Sequence, residues 1–308
     1  MTILITTDYL VPGDEVDTYL TGLGWTTRHD PMRGPRDPQQ LVAALQGAEG
    51  ALIANEPMTE MVLRAAPSLR AVVRTGVGYD SVDVPAATRL GISVSNLPGI
   101  NANAVAEYTI GLILAQARSL VTLAAGVQAR SWPRQDGYEL SGKFLGVIGR
   151  GAVAQRVKPL AEAFGMRVLG NEVPLADLLR KSDFVSIHTA LTERTRHLID
   201  AAALAQMKPT AHLINTARGP IVDEAALAEA VRTGRIAGAA LDVVETEPLP
   251  AGSVLRDIPG ITVYSHMAGQ TAEARRAAGV QGARELVAAL AGEPGSSVNA
   301  HLLGKERA

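Results

Sequence analysis

Short apolar runs alternate with segments of helical period along nearly the whole chain, which predicts an α/β protein built on parallel sheets. In the first third, Thr2-Ile3-Leu4-Ile5, Gly50-Ala51-Leu52-Ile53, Ala71-Val72-Val73 and Ser93-Val94 read as strands. Helical patterns from Gln39 to Gln46 and from Glu60 to Ala66 lie between them. Asn96-Leu97-Pro98-Gly99 predicts a hinge-like turn. A long helix follows from about Ala104 to Ala129, apolar on several faces with Glu107 and Arg118 as rare charges, and Trp132-Pro133 closes it. Such a helix belongs in a core or at a subunit interface.

A second series of strands is predicted at Phe144 to Ile148, Arg167 to Gly170, Phe184 to Ile187, His212 to Asn215, Ala239 to Val243 and Ile261 to Tyr264. A last helix, from Thr271 to Ala291, carries the chain back to the first unit. The expected architecture is two Rossmann-like, doubly wound parallel-sheet domains with an active-site cleft between them. Residues 1–99 plus 276–308 would form the substrate domain, and residues 100–275 the dinucleotide-binding domain.

Composition narrows the chemistry. The chain has 308 residues, 47% hydrophobic and 19% charged, which suits two globular domains. A net charge of -2 without blocks of like charge argues against nucleic acid or an anionic membrane as partner. The absence of cysteine excludes disulfides, thiolate metal sites and a cysteine nucleophile, and no metal site is expected. Met1 to Ile5 lacks a basic leader, and the most apolar stretch, Tyr108 to Leu123, is broken by Gln116 and Arg118. These features predict a cytoplasmic enzyme with a small-molecule substrate.

After the predicted strand ending at Ile148 comes Gly149-Arg150-Gly151-Ala152-Val153-Ala154, a G-x-G-x-x-A dinucleotide loop opening a helix. Gly149 permits the tight turn, Gly151 lets backbone approach a pyrophosphate, and Ala154 keeps the helix close to the sheet. Pro159 should kink that helix. Glu172 stands at the end of the next strand, near the spacing of about 20 residues at which an acid binds the ribose hydroxyls. It reads as a ribose ligand or as a solvated strand-end charge. In the first role it would repel a ribose 2′-phosphate, which favours NAD and leaves NADP as the alternative cofactor.

Ligands of open α/β sheets bind beyond the carboxyl ends of the strands. That rule selects His188 and Thr189, then Thr216-Ala217-Arg218-Gly219, then Asp242 to Glu247, then Ser265-His266. An arginine, an acid and a histidine on one rim suit hydride-transfer chemistry. Histidine is the natural acid/base near neutral pH, a carboxylate orients it, and arginine holds a substrate carboxylate as a fork. His29, His197, His212 and His301 read as structural.

With these residues in hand, the sequence resembles the D-isomer-specific 2-hydroxyacid dehydrogenase family over about Ala71 to Thr271. The resemblance rests on Arg74-Thr75-Gly76-Val77-Gly78-Tyr79-Asp80, Asn101 to Glu107, Gly142-Lys143, Asn215 to Asp223, Ala240 to Pro248 and His266-x-x-Gly269. It implies Arg218, Glu247 and His266 as the catalytic group. It also implies that the amides of Val77 and Gly78 hold the substrate carboxylate and that Ile100 lies nearby. Thr216, Ala217 and Asp242 would face the nicotinamide ribose and carboxamide, and Ala152 and Val153 the pyrophosphate. A homodimer is implied as well, in a short form with no regulatory domain after Thr271. Ser265 and Ala190 replace prolines usual in the family. Glu172 runs straight into Val173-Pro174-Leu175, where relatives insert roughly a helix and a short strand, so an edge element beside the adenosine site should be missing. Two other readings are a nicotinamide-binding regulator on the same fold and oxidation of a non-hydroxyacid such as phosphite.

Overall fold

The computed structural model describes residues 1–31, 37–293 and 295–303; within the predicted C-terminal part of the substrate domain, residues 294 and 304–308 lie outside this set. The chain begins with β1 (Thr2–Ile5), α1 (Glu15–Gly22), β2 (Thr26–His29), α2 (Pro38–Leu45), β3 (Ala48–Ile53), α3 (Glu60–Arg64), β4 (Ala71–Arg74), α4 (Val84–Arg89) and β5 (Ser93–Ser95). These strands form a parallel sheet in the order β2-β1-β3-β4-β5. Next come α5 (Ala102–Ala117), α6 (Leu120–Gln128), β6 (Phe144–Ile148), α7 (Ala152–Ala163), β7 (Arg167–Leu169), α8 (Leu175–Lys181) and β8 (Phe184–Ile187). Then follow α9 (Ala201–Leu204), β9 (His212–Asn215), a 3-10 turn at Gly219–Ile221, α10 (Glu224–Arg232), β10 (Gly238–Leu241) and β11 (Ile261–Val263). The second sheet is also parallel, ordered β11-β10-β9-β8-β6-β7. The chain ends with α11 (Ala272–Leu290) and α12 (Ala300–Leu303).

The strands read as continuous apolar runs because helices cover both faces of each sheet. In β1, Ile3 and Ile5 pack with residues of α1 and α11, whereas Leu4 packs with residues of α2, α3 and α4. In the second sheet, Phe184 joins α5 and α7 on one face, and Val185 and Ile187 join α8 and α10 on the other. Contacts divide the chain into two compact units, Met1–Asn101 with Thr271–Ala308, and Ala102–Gln270. All of α11 packs in the first unit, and its cap is made by Thr271 Oγ1, which accepts the Ala274 N–H at 3.1 Å.

Two differences from the sequence pattern have physical causes. β2 escapes the pattern because Thr26-Thr27-Arg28-His29 is polar and pairs on one side only. The single helix expected from Ala104 to Ala129 is two helices bent by 66°. Ser119 breaks it in the left-handed region at φ 51, leaving α5 largely buried and α6 with no buried residue. Among the described residues no single helix is long and apolar enough to cross a membrane. As the sequence predicts, β7 is an edge strand paired only with β6, and Glu172 leads almost directly into α8.

His212 opens β9, is 7% exposed, and stacks on Phe184 with ring centroids 5.5 Å apart. Burial pulls its pKa down to about 4. In the unfolded chain a histidine takes up its proton below about pH 6.5. Its contribution is therefore complete above that pH and is lost progressively as pH falls toward the folded value, by about 2 kcal/mol at pH 5. Urea unfolding of His212→Phe should show a pH 7 to pH 5 loss of stability smaller than wild type by about that amount. Equal losses in the two proteins would contradict the assignment.

Candidate active site

The Gly-rich loop is shaped by contacts that no side chain permits. Gly149 follows β6 at φ +126, and a Cβ there would strike the carbonyl of His188. Only glycine meets both conditions. Its N–H donates to Asn171 Oδ1 at 3.0 Å, which fastens the loop to the turn after β7. Gly151 caps α7 in extended conformation without a side-chain hydrogen bond, and a Cβ there would meet nothing within 4 Å. The first-turn amides of α7, those of Ala152 and Val153 included, have no partner inside the helix, and the helix dipole is positive there. An open backbone surface at an uncapped helix start fits a pyrophosphate. Ala154 is fully buried against the second sheet's core.

Glu172 is exposed beyond β7, with Oε1 accepting the Gly170 N–H at 2.6 Å and Oε2 lying 4.0 Å from Lys158 Nζ. Its own amide and that of Gly170 lower its pKa, with help from Lys158, so the acid carries a charge at neutral pH. His188 turns its imidazole toward the sheet, with Nε2 2.8 Å from Ser186 Oγ, and desolvation pulls its pKa to about 3. What His188 and the half-buried Thr189 offer beside Gly149 is therefore mainly backbone.

The carboxyl ends of β9, β10 and β11 bring together the arginine, acid and histidine. His266 Nδ1 donates to Glu247 Oε2 at 2.7 Å. Burial pushes the Glu247 carboxyl up, but the hydrogen bond and charge of His266, the Val244 amide and Arg218 outweigh it and leave the pKa lowered. Arg218 donates to the Ala217 carbonyl at 2.8 Å, and Asn215 braces its loop from both sides. Asn215 Nδ2 donates to the Arg218 carbonyl at 2.9 Å, and Oδ1 accepts the Ala217 N–H at 3.0 Å. Arg218 and Glu247 are further registered by backbone. A Cβ on Gly219 would collide with Val244 and Glu245, so the two loops lie in direct contact.

Asp242 performs a task that its place in the sequence does not announce. Its carboxylate accepts the Met267 and Ala268 N–H groups at 2.8 and 2.9 Å, and its carbonyl accepts the His266 N–H at 2.8 Å. These three bonds hold His266 at φ 58, in the left-handed region. Thr216 is buried, and its hydroxyl pairs with Thr109 on α5 at 3.1 Å. In the first unit, Asn96 Nδ2 donates to the Val77 carbonyl at 2.6 Å, which ties down the Val77-Gly78 loop, and Ile100 packs on that unit's core. Asn96, Asn171 and Asn215 are contributors that pattern reading missed. A lone amide after a strand has no periodicity, although Asn215 lies inside a motif and Asn171 adjoins Glu172.

Residues 110–268, about half the chain, match the family model described as "D-isomer specific 2-hydroxyacid dehydrogenase, NAD binding domain". The chain belongs to that family. It is 37% identical over 300 residues to a glyoxylate reductase of Thermofilum pendens, covering 90% of this chain and 86% of the relative. It is 40% identical over 278 residues to the D-3-phosphoglycerate dehydrogenase of Mycobacterium leprae, covering 84% of this chain and 52% of that longer protein. The solved NAD-dependent formate dehydrogenase of Staphylococcus aureus, in complex with NAD, superposes with a TM-score of 0.85 at 27% identity, covering 96% and 97% of the two chains. The protein is thus an NAD-dependent oxidoreductase of the hydroxyacid and oxo acid class, with its Gly-rich loop in the matched NAD-binding domain.

Replacing Asp242 with Asn removes one acceptor and sets an N–H against a backbone N–H. Asp242→Asn should cost about 1–3 kcal/mol in urea unfolding, with a loss of turnover because the His266 turn is released. Unchanged stability and turnover together would show that the carboxylate does not hold the turn.

Proposed function

We propose that the protein interconverts a small D-2-hydroxy acid and its 2-oxo acid, with Arg218, Glu247 and His266 as the catalytic group. The observation that carries this reading is the 2.7 Å bond from His266 Nδ1 to a Glu247 carboxylate whose pKa is lowered in part by Arg218. Because Glu247 takes Nδ1–H, the other ring nitrogen is left for the substrate oxygen. His266 gives that oxygen a proton during reduction and takes it back during oxidation. Glu247 holds the ring orientation and stabilises its protonated form. Arg218 binds the substrate carboxylate as a fork and polarises the neighbouring C2 carbonyl. NAD, when bound, supplies the carbon that takes or gives the hydride.

For the cofactor we assign Gly149, Gly151, Ala152 and Val153 to the pyrophosphate and Glu172 to the adenosine ribose. His188 and Thr189 would line the site through backbone, and Thr216, Ala217 and Asp242 would border the nicotinamide end. The Val77 and Gly78 amides, with Ile100, would meet the substrate. The charge on Glu172 favours NAD over NADP. Relatives named glyoxylate reductase, at 37% and 43% identity, make glyoxylate the first acid to test.

A homodimer working in the cytoplasm completes the proposal. Its support is α6, where Leu120, Val121 and Val127 are exposed, and the nearby Trp132, which is 80% exposed. A second copy would cover them.

General acid–base catalysis is worth about 10²–10⁴-fold, so His266→Ala should lower kcat for glyoxylate or a larger 2-oxo acid by at least about a hundredfold. NADH binding, read by quenching of tryptophan fluorescence, should persist. Near-normal turnover of that variant would overturn the assignment. Light scattering should give twice the 32.2 kDa chain mass; a monomer mass would contradict the dimer.

A further inference from the structure

The loops carrying Arg218 and Glu247 meet a third segment, Thr192 to Ile199, which follows β8 and holds no predicted catalytic residue. His197 joins all three. Its backbone N–H donates to the Pro220 carbonyl at 2.9 Å, two residues beyond Arg218. Its Nε2 pairs with Glu245 Oε1 at 2.9 Å, two residues before Glu247. A carboxylate only accepts, so Nε2 carries the hydrogen. The Glu245 N–H in turn donates to Glu224 Oε1 at 2.6 Å, at the start of α10. Behind His197, Ile199 runs parallel to Val222 as a short bridge, with the Ile199 N–H donating to the Ile221 carbonyl at 3.1 Å.

The backbone of His197 stands at φ 49, a conformation non-glycine residues rarely adopt unless surrounding contacts dictate it. Here it lets one residue bond Pro220 through its main chain and Glu245 through its ring. The ring is 43% exposed and Glu245 35%, so solvent weakens the bond, and its effect should be modest.

We propose that His197 is a positioning residue for the reaction, clasping Glu245 and thereby holding Glu247 in register with Arg218. The clasp rests on the assignment of Arg218, Glu247 and His266 proposed above. Its two halves act differently. Loss of the ring leaves the His197 N–H on Pro220, so the Arg218 side stays held. The Glu247 side is freed, and with it the orientation of His266.

The test is steady-state kinetics on the full chain with NADH and the best 2-oxo acid. His197→Ala should lower kcat about fivefold, the upper range for an exposed charged pair, with KM for NADH unchanged. His197→Gln, whose amide nitrogen reaches a similar position and donates, should restore kcat, whereas a merely structural loss would not be rescued in kcat alone. Glu245→Ala should match His197→Ala, and the double variant should be no slower than either single one. Wild-type kcat in His197→Ala, failure of His197→Gln to rescue, or additive losses in the double variant would each overturn the clasp. Glu247→Gln serves as the control. If it is damaging while His197→Ala is silent, the clasp alone fails; if it is itself silent, the reading of the catalytic group fails and the clasp with it.

Discussion

Parallel strands all end on the same side, and the second sheet depends on that constraint. Gly149, His188, Arg218, Asp242 and His266 lie far apart in sequence, yet each follows the carboxyl end of its own strand. The ladder from β6 through β8, β9 and β10 to β11 fixes the register, so each loop leaves the sheet at a defined height. A carboxylate and an imidazole can then meet at 2.7 Å although nineteen residues separate them. The helices on both faces keep the strands dry and the ladder intact.

On that rim, fine placement comes from backbone contact and from buried acceptors more than from the arginine, acid and histidine themselves. Gly149 lies against His188, and Gly219 lies against Val244 and Glu245, with no room for a Cβ at either point. Asp242, 1% exposed, satisfies two amides and so determines where His266 stands. Asn171 and Asn215 do the same for the Gly-rich loop and the arginine loop. The side chains proposed as catalytic are thus held by partners whose geometry leaves few alternatives, as preorganised electrostatics requires.

The same unit is less finished at its margins. β7 stands open on one side where a further strand would pair, and its acid binds back onto the strand end. At another margin α6 shows its apolar residues to solvent after the 66° bend. Both features come from short stretches of chain, the direct run from Glu172 into α8 and the left-handed Ser119, and neither disturbs the core.

Most strands, the Gly-rich loop between strand and helix, and the place of an arginine, an acid and a histidine after strand ends were legible in the sequence because they depend on local signals. A buried parallel strand must be apolar throughout, a loop facing a pyrophosphate must be glycine-rich, and reactive residues follow strand ends. The direct run from Glu172 into α8 was legible too. The polar strand β2, the break at Ser119, the inward turn of the His188 ring and the work of Asp242 were not, because each depends on what lies across space. Whether a carboxylate faces a ligand or two backbone amides is decided by neighbours from another strand. The residue types were set in the chain; which group touches which was decided only by the tertiary structure, since hydrogen bonds and steric contact act over a few ångströms whatever the separation in sequence.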